Sequence, residues 1–197
     1  MDGLLFDSER IVQRSWEIAG DELGIPHMGN VIYHTLGMNR AGRNEYFRKY
    51  IREDFPFEEF GRLTRDNFWK IVDKEGLPLK KGVKELLAYG KAQGYKMAVA
   101  TSSSREYAMG NLIRAGIDPY FDSVICGDMV KKAKPDPEIY QKACESLGIQ
   151  PEYCMAFEDA PGGILSAHQA GMQVIMVPDL VQRRRRYGNL HIGSVIR

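Results

Sequence analysis

The sequence predicts an α/β protein in which a parallel sheet with helices on both faces is interrupted near its start by an all-helical insertion. Three observations carry this. Helix-like periodic segments stop at glycines spaced along the chain; short apolar runs separate the later segments; and no such run occurs between residues 8 and 76. A strand–helix–strand–helix order is the signature of a parallel sheet, because parallel strands need long crossover connections.

The elements follow in chain order. Residues 1–9 read Met-Asp-Gly-Leu-Leu-Phe-Asp-Ser-Glu. From there to Gly76 the periodicity is helical. Residues 39–51 and 57–74 put Tyr46, Phe47, Tyr50, Phe60, Phe68 and Trp69 at helical spacings, which predicts the core of a small helical domain and not a cofactor box. Helical segments run into Gly24, Gly76, Gly94, Gly116, Gly148 and Gly171, with Pro26, Pro78, Pro119 and Pro151 close behind four of them. Glycine ends a helix and a following proline prevents its resumption. The apolar runs at 95–100, 123–126, 153–157 and 173–177 are too short for helices and rich in Val, Ile, Met and aromatics, so they predict buried strands.

Four segments place polar groups where open α/β sheets bind ligands, at the carboxyl ends of strands. The first holds Asp2. The second runs from Ala98 into Thr101, Ser102 and Ser103. The third is Lys134-Pro-Asp-Pro137, just before a helix start. The fourth is Phe157-Glu158-Asp159-Ala-Pro-Gly-Gly163. Each has a plain structural reading as well. Residues 101–104 can cap a helix, Lys134 can be a solvated loop lysine, Glu158 and Asp159 can complement a helix dipole, and Asp2 can be a frayed end. Together they converge on one crevice suited to an anion with a hard divalent cation. Magnesium takes one or two carboxylates plus substrate phosphate, and lysine and hydroxyl donors orient phosphoryl oxygens.

Composition narrows the class. Of 197 residues, 44% are hydrophobic and 27% charged, ordinary for a globular protein. No apolar run reaches the roughly 18 residues of a membrane span, and the start carries no basic leader. A cytoplasmic protein is expected, without membrane association. The three cysteines, Cys126, Cys144 and Cys154, lack CxxC spacing and are expected as buried thiols. From residue 181 onward there are five arginines and no acid, leaving 22 basic and 26 acidic side chains before it. That mildly acidic body argues against nucleic acid as a partner. Arg183 to Arg186 form a run too short for that role.

The four segments resemble, in order and spacing, the four motifs of the haloacid dehalogenase superfamily, with 33 residues from Thr101 to Lys134 and 25 from there to Asp159. The wording of residues 1–9 resembles the subgroup with a helical cap after the first motif, which includes sugar-phosphate and nucleotide phosphatases and β-phosphoglucomutase. The resemblance covers about residues 1–180 and implies a Rossmann-like catalytic core at 1–9 and 79–182, a helical cap at 10–78, and a basic tail at 183–197 outside the packed core. It implies Asp2 as general acid/base with its carbonyl on magnesium, Thr101 and Ser102 on the phosphoryl group, Lys134 bridging phosphate and nucleophile, and Glu158 with Asp159 on magnesium. Arg40 falls where the mutase has a phosphate-contacting cap arginine, although a solvated helix-end arginine reads equally well.

The resulting expectation is a monomeric, magnesium-dependent phosphatase for a small phosphorylated metabolite, acting through an aspartyl-phosphate. Two other readings stand beside it. A mutase of this kind carries a histidine where Val12 stands, and an apolar valine favours hydrolysis. A catalytically dead phosphate-binding protein is the other, because the family's attacking aspartate lies two residues before Asp2, ahead of Met1. The family's central first strand would also precede Met1, so the chain as given is expected to be inactive.

Overall fold

The computed structural model describes residues 1–35, 40–177 and 193–194. They form two compact units, one of Met1–Asp7 with Leu77–Arg197 and one of Ser8–Gly76. The sequence puts the inner boundaries at residues 10 and 78, two positions later at each end.

The helical unit contains α1 (Ser8–Glu22), α2 (Met28–Thr35), α3 (Arg40–Tyr50) and α4 (Phe57–Glu75). Its core gathers Trp16, Ile25, Met28, Ile32, Phe47, Phe55 and Phe60, with Val12 and Tyr46 partly buried against it. The Trp16 ring meets Phe47 edge-on at 5.5 Å and Phe60 at 5.7 Å, while Phe55 tilts over Phe47 at 4.7 Å. Such pairs add about 0.5–1.5 kcal/mol each beyond area burial. Gly20 lets α1 and α2 approach, since a Cβ there would press on the Ile25 carbonyl and the Met28 side chain. Two polar ties join α1 to α4: Arg14 clasps Glu75 through both guanidinium nitrogens at 2.6 and 2.8 Å, and Asn67 donates to Glu22 at 3.0 Å. Three of the aromatics expected in this core are not in it: Phe68, which meets Trp69 edge-on at 5.5 Å, Tyr50 and Trp69. Tyr50 is 60% exposed and Trp69 41% exposed. The buried face of α4 runs through Phe60, Asn67, Ile71 and Val72, which leaves Trp69 on the other side.

The α/β unit contains α5 (Val83–Ala92), β1 (Ala98–Ala100), α6 (Arg105–Arg114), β2 (Ser123–Ile125), α7 (Glu138–Leu147), β3 (Met155–Glu158), α8 (Pro161–Gln169), β4 (Gln173–Met176) and β5 (Gly193–Ser194). All strand pairing is parallel, as expected. Among the described residues it falls into two ladders, β1 with β2 and β3–β4–β5. One apolar core serves both. Ile139, Tyr140 and Ala143 of α7 and Ile164, Ala167 and Ala170 at α8 pack with Ile125, Ala156, Val174 and Met176.

The N-terminal segment is anchored beside residues 78–80. Asp7 N–H donates to the Pro78 carbonyl at 2.9 Å, Lys80 N–H to that of Leu5 at 2.8 Å, and Phe6 is fully buried. The basic tail, expected outside the packed core, returns to the sheet at β5, where Gly193 and Ser194 pair with Ile175 and Met176. This strand satisfies backbone groups of β4 that would otherwise form a sheet edge. Arg183 to Arg186 lie outside the described residues. Among the described residues no helix is long and apolar enough to cross a membrane.

Phe47 is 2% exposed and contacts four other aromatic rings. Phe47→Ala is expected to lower stability by about 3–5 kcal/mol, the usual cost of a deleted core aromatic. Urea unfolding followed by tryptophan fluorescence measures this; a loss under about 1 kcal/mol would place the ring outside the core.

Candidate active site

The segment after β1 divides its hydroxyls among separate tasks. Thr101 is buried; its N–H donates to the Ile125 carbonyl at 3.0 Å, and its Oγ1 accepts the Ser103 N–H at 3.2 Å. Ser104 is the cap of α6, accepting the Tyr107 N–H at 3.4 Å. The capping role thus falls to one residue of the four. Ser102 is exposed. Ser103 donates to Asp2 Oδ2 at 2.9 Å. Gly127 lets its own turn approach this segment closely: its N–H donates to the Ser103 carbonyl at 2.9 Å, and a Cβ would strike the Ser102 carbonyl.

Asp2 is consequently fixed and not frayed. Tyr107 OH donates to its Oδ1 at 3.0 Å, so both carboxylate oxygens are engaged. Burial, then the Asp2 charge, holds the Tyr107 phenol above its ordinary range and keeps it a donor.

Lys134 sits in a loop organised by the first residue of α7. The Glu138 carboxylate accepts the N–H of Lys131 at 3.0 Å and of Lys132 at 2.9 Å, and pairs with Lys142 at 3.1 Å. Ser166 of α8 donates to the Asp136 carbonyl at 2.6 Å, and the Lys134–Pro135 peptide is cis. From this loop the Lys134 ammonium donates to the Ala100 carbonyl at 3.1 Å and to Glu158 Oε1 at 2.5 Å. It also lies 4.8 Å from the centre of the Tyr140 ring, within cation–π range.

Glu158 ends β3 and is 6% exposed. Tyr140 OH donates to its Oε1 beside Lys134. Burial raises the Glu158 carboxyl, but the Lys134 charge and hydrogen bond, with that of Tyr140, bring it below its ordinary value. Burial and the Glu158 charge push the Tyr140 phenol up. Gly163 in the first turn of α8 is required here, because a Cβ would overlap the Glu158 carboxylate. Asp159 follows at the strand end, half-buried. Asp2, Glu158 and Asp159 all act electrostatically on the buried Met1 nitrogen, whose basicity burial lowers despite them.

The structure joins Lys134 to Glu158 and Asp2 to Ser103, and Thr101 and Asp159 follow directly at the ends of β1 and β3. It leaves Ser102 on the surface, and the Arg40 side chain lies outside the described residues. Ser103, Tyr107 and Tyr140 are additions. A signal for the tyrosines exists in the sequence: each stands in the first turn of a helix that follows a motif, and helical side chains lean toward the N-terminus, back over the strand ends.

The chain matches the family described as haloacid dehalogenase-like hydrolase over residues 1–177. It is 33% identical over 184 residues to YhcW of Bacillus subtilis (strain 168), a candidate phosphatase, covering 91% of this chain and 81% of that protein. It is 31% identical over 175 residues to the phosphorylated carbohydrates phosphatase of Thermotoga maritima, covering 89% and 81%. A crystal structure of a candidate β-phosphoglucomutase from Thermotoga maritima superposes with a TM-score of 0.78 at 27% identity, covering 94% of this chain and 86% of that one.

Two outcomes follow from this geometry. Gly163→Ala is expected to cost about 1–3 kcal/mol by overpacking against Glu158. Gly162→Ala, where nothing lies within 4 Å of the new Cβ, is expected to be neutral or stabilising. Equal losses in a denaturant titration would contradict the close approach. Glu138, held down to about 2 chiefly by the Lys131 N–H and then by Lys142, has a folded value below its unfolded one. Its stabilising contribution is present above the unfolded value, about 4.3, and is lost as pH falls toward 2. Glu138→Gln should lack that contribution at neutral pH and show a flatter stability profile between those values. Parallel profiles would contradict it.

Proposed function

The chain belongs to the haloacid dehalogenase-like hydrolases, and from that premise we propose that it is a magnesium-dependent phosphatase acting on a phosphate monoester of a small metabolite. The observation that carries this reading is the Lys134 ammonium. It is held at the junction of two strand ends, 14% exposed, by the Ala100 carbonyl and by Glu158, the immediate neighbours of Thr101 and Asp159. A fixed cation beside buried oxygen donors suits a phosphoryl group, where catalysis is chiefly positioning and charge neutralisation.

The roles follow from the chemistry of each group. Asp2, oriented by Ser103 and Tyr107, serves as general acid and then base. The Thr101 and Ser102 hydroxyls bind phosphoryl oxygens. Lys134 bridges the phosphoryl group and the attacking carboxylate, which in the family stands two residues before Asp2. Attack on phosphorus gives an aspartyl-phosphate, and water then releases phosphate.

The donor set fits magnesium. Asp2, Glu158 and Asp159 offer carboxylate oxygens, the ligand type magnesium takes. Among the described residues no three acidic, His or Cys side chains close into a metal-binding group, but magnesium usually binds through one or two carboxylates plus phosphate. When bound, it neutralises charge on the phosphoryl oxygens.

The phosphorylated carbohydrates phosphatase relative supports a small phosphorylated metabolite as substrate. The resemblance to a candidate β-phosphoglucomutase raises the mutase reading. Val12 speaks for hydrolysis, since it packs against the apolar core of the helical unit and offers no proton-transferring group.

The test uses the chain extended upstream by an apolar strand ending in Phe-Asp, assayed with magnesium and an aryl phosphate. Lys134→Ala or Asp159→Asn is expected to lower turnover at least about a hundredfold, since losing one preorganised charge-stabilising group costs roughly 2.7–4 kcal/mol. Near-unchanged turnover in either variant would overturn the assigned roles. Absence of turnover in the extended parent would favour a phosphate-binding protein without catalysis.

A further inference from the structure

Tyr140 stands in the first turn of α7, 5% exposed, and none of the roles above uses it. Its ring packs in the apolar core with Ile139, Ala143 and Ile164, a place that phenylalanine would fill as well. The hydroxyl is what packing does not require, since a buried polar group is costly unless it is bonded. Here it meets both members of the buried ion pair. It donates to Glu158 Oε1, the same oxygen that accepts from Lys134 at 2.5 Å. Its own oxygen lies 3.4 Å from the Lys134 nitrogen, which stands 4.8 Å from the centre of the ring.

We propose, on the reading of Lys134 as the phosphoryl-binding cation, that Tyr140 is a positioning residue: by sharing Glu158 Oε1 with the ammonium, its hydroxyl leaves Lys134 a donor for a phosphoryl oxygen. An ammonium has three N–H donors. Two of its contacts are short, to the Ala100 carbonyl at 3.1 Å and to Glu158, and the one to Tyr140 is long. A hydrogen bond of that length is the weakest of the three and the one that a phosphoryl oxygen replaces.

The carboxylate oxygen has two lone pairs to offer. With the phenol on one and the ammonium on the other, its charge is divided between two donors. The aromatic face adds a hold on the ammonium that uses none of its hydrogen bonds. Without the hydroxyl, Glu158 claims the ammonium alone, and an incoming phosphoryl group competes with an undivided negative charge. Tyr140 acts through Lys134 and Glu158.

The test is calorimetric titration of the chain with inorganic phosphate, without magnesium, beside denaturant unfolding of each variant. Binding in the parent is expected to disappear in Lys134→Ala. Tyr140→Phe keeps the ring and deletes only the hydroxyl; it is expected to weaken phosphate binding about tenfold, as for a lost hydrogen bond to a charged group. Glu158→Gln removes the charge that the hydroxyl shares. In that background Tyr140→Phe is expected to change binding by less than about twofold, a non-additivity that a merely structural hydroxyl would not show. Unchanged affinity in Tyr140→Phe would overturn the assignment, and so would an equal loss in both backgrounds. Failure of Tyr140→Phe to fold would overturn it too, by making the hydroxyl a structural group. A parent without Lys134-dependent binding would remove the roles of both residues. Binding of the expected pattern, without turnover in the aryl phosphate assay, would uphold the role of Tyr140 and sink the phosphatase reading alone.

Discussion

Lys134 places an ammonium group where only 14% of its side chain meets solvent, and an unpaired charge at that depth would cost several kcal/mol. The requirement for partners organises the surrounding structure. Ala100 contributes a carbonyl from the end of β1 and Glu158 a carboxylate from the end of β3, so one side chain ties together two sheets that share no backbone ladder among the described residues. Tyr140 supplies a donor to the same carboxylate and an aromatic face to the same ammonium. Gly163 leaves the carboxylate room, and the backbone of the lysine's own loop is gathered by Glu138. Pairs of this kind are poor sources of net stability, which suits a site whose charges are kept for a ligand.

Asp2 shows the same logic on the other side of the cluster. Its two oxygens are claimed by Ser103 and Tyr107, from the loop and first turn that follow β1. A carboxylate held this way presents a fixed direction to whatever enters the crevice, and fixed geometry is the larger part of what a phosphoryl-transfer site contributes.

The sequence pattern located most elements because each strand is short, apolar and bounded by glycine or proline. The departures have local causes. The run at 95–100 yields a strand only from Ala98, since Tyr95 N–H still closes the end of α5 on Gly90 and Met97 N–H is taken by the Asp122 side chain. The run at 153–157 begins at Met155 because Pro151–Tyr153 form a tight turn. The division into two sheets left no trace in hydropathy, as both sets of strands are equally apolar. In the site, the motif residues were readable from their positions after strands. Tyr107 and Tyr140 were readable only through the lean of helix side chains toward the strand ends, and the Ser103 contact was not, because it joins residues far apart in the chain. Nothing in the sequence separated the exposed Ser102 from its neighbours Thr101 and Ser103, which differ from it only in direction.

The absence of a backbone ladder between β1 and β3 bears on how the unit opens. Amide groups exchange with solvent in cooperative sets defined by shared hydrogen bonds. Among the described residues β1 with β2 make one set and β3–β4–β5 another, joined by the packing of α7 and α8 and by the Lys134 contacts to Ala100 and Glu158. Apolar contact and a charge pair tolerate small displacements that a ladder would resist. The two ladders are therefore expected to exchange as separate sets, with the Lys134–Glu158 pair between them.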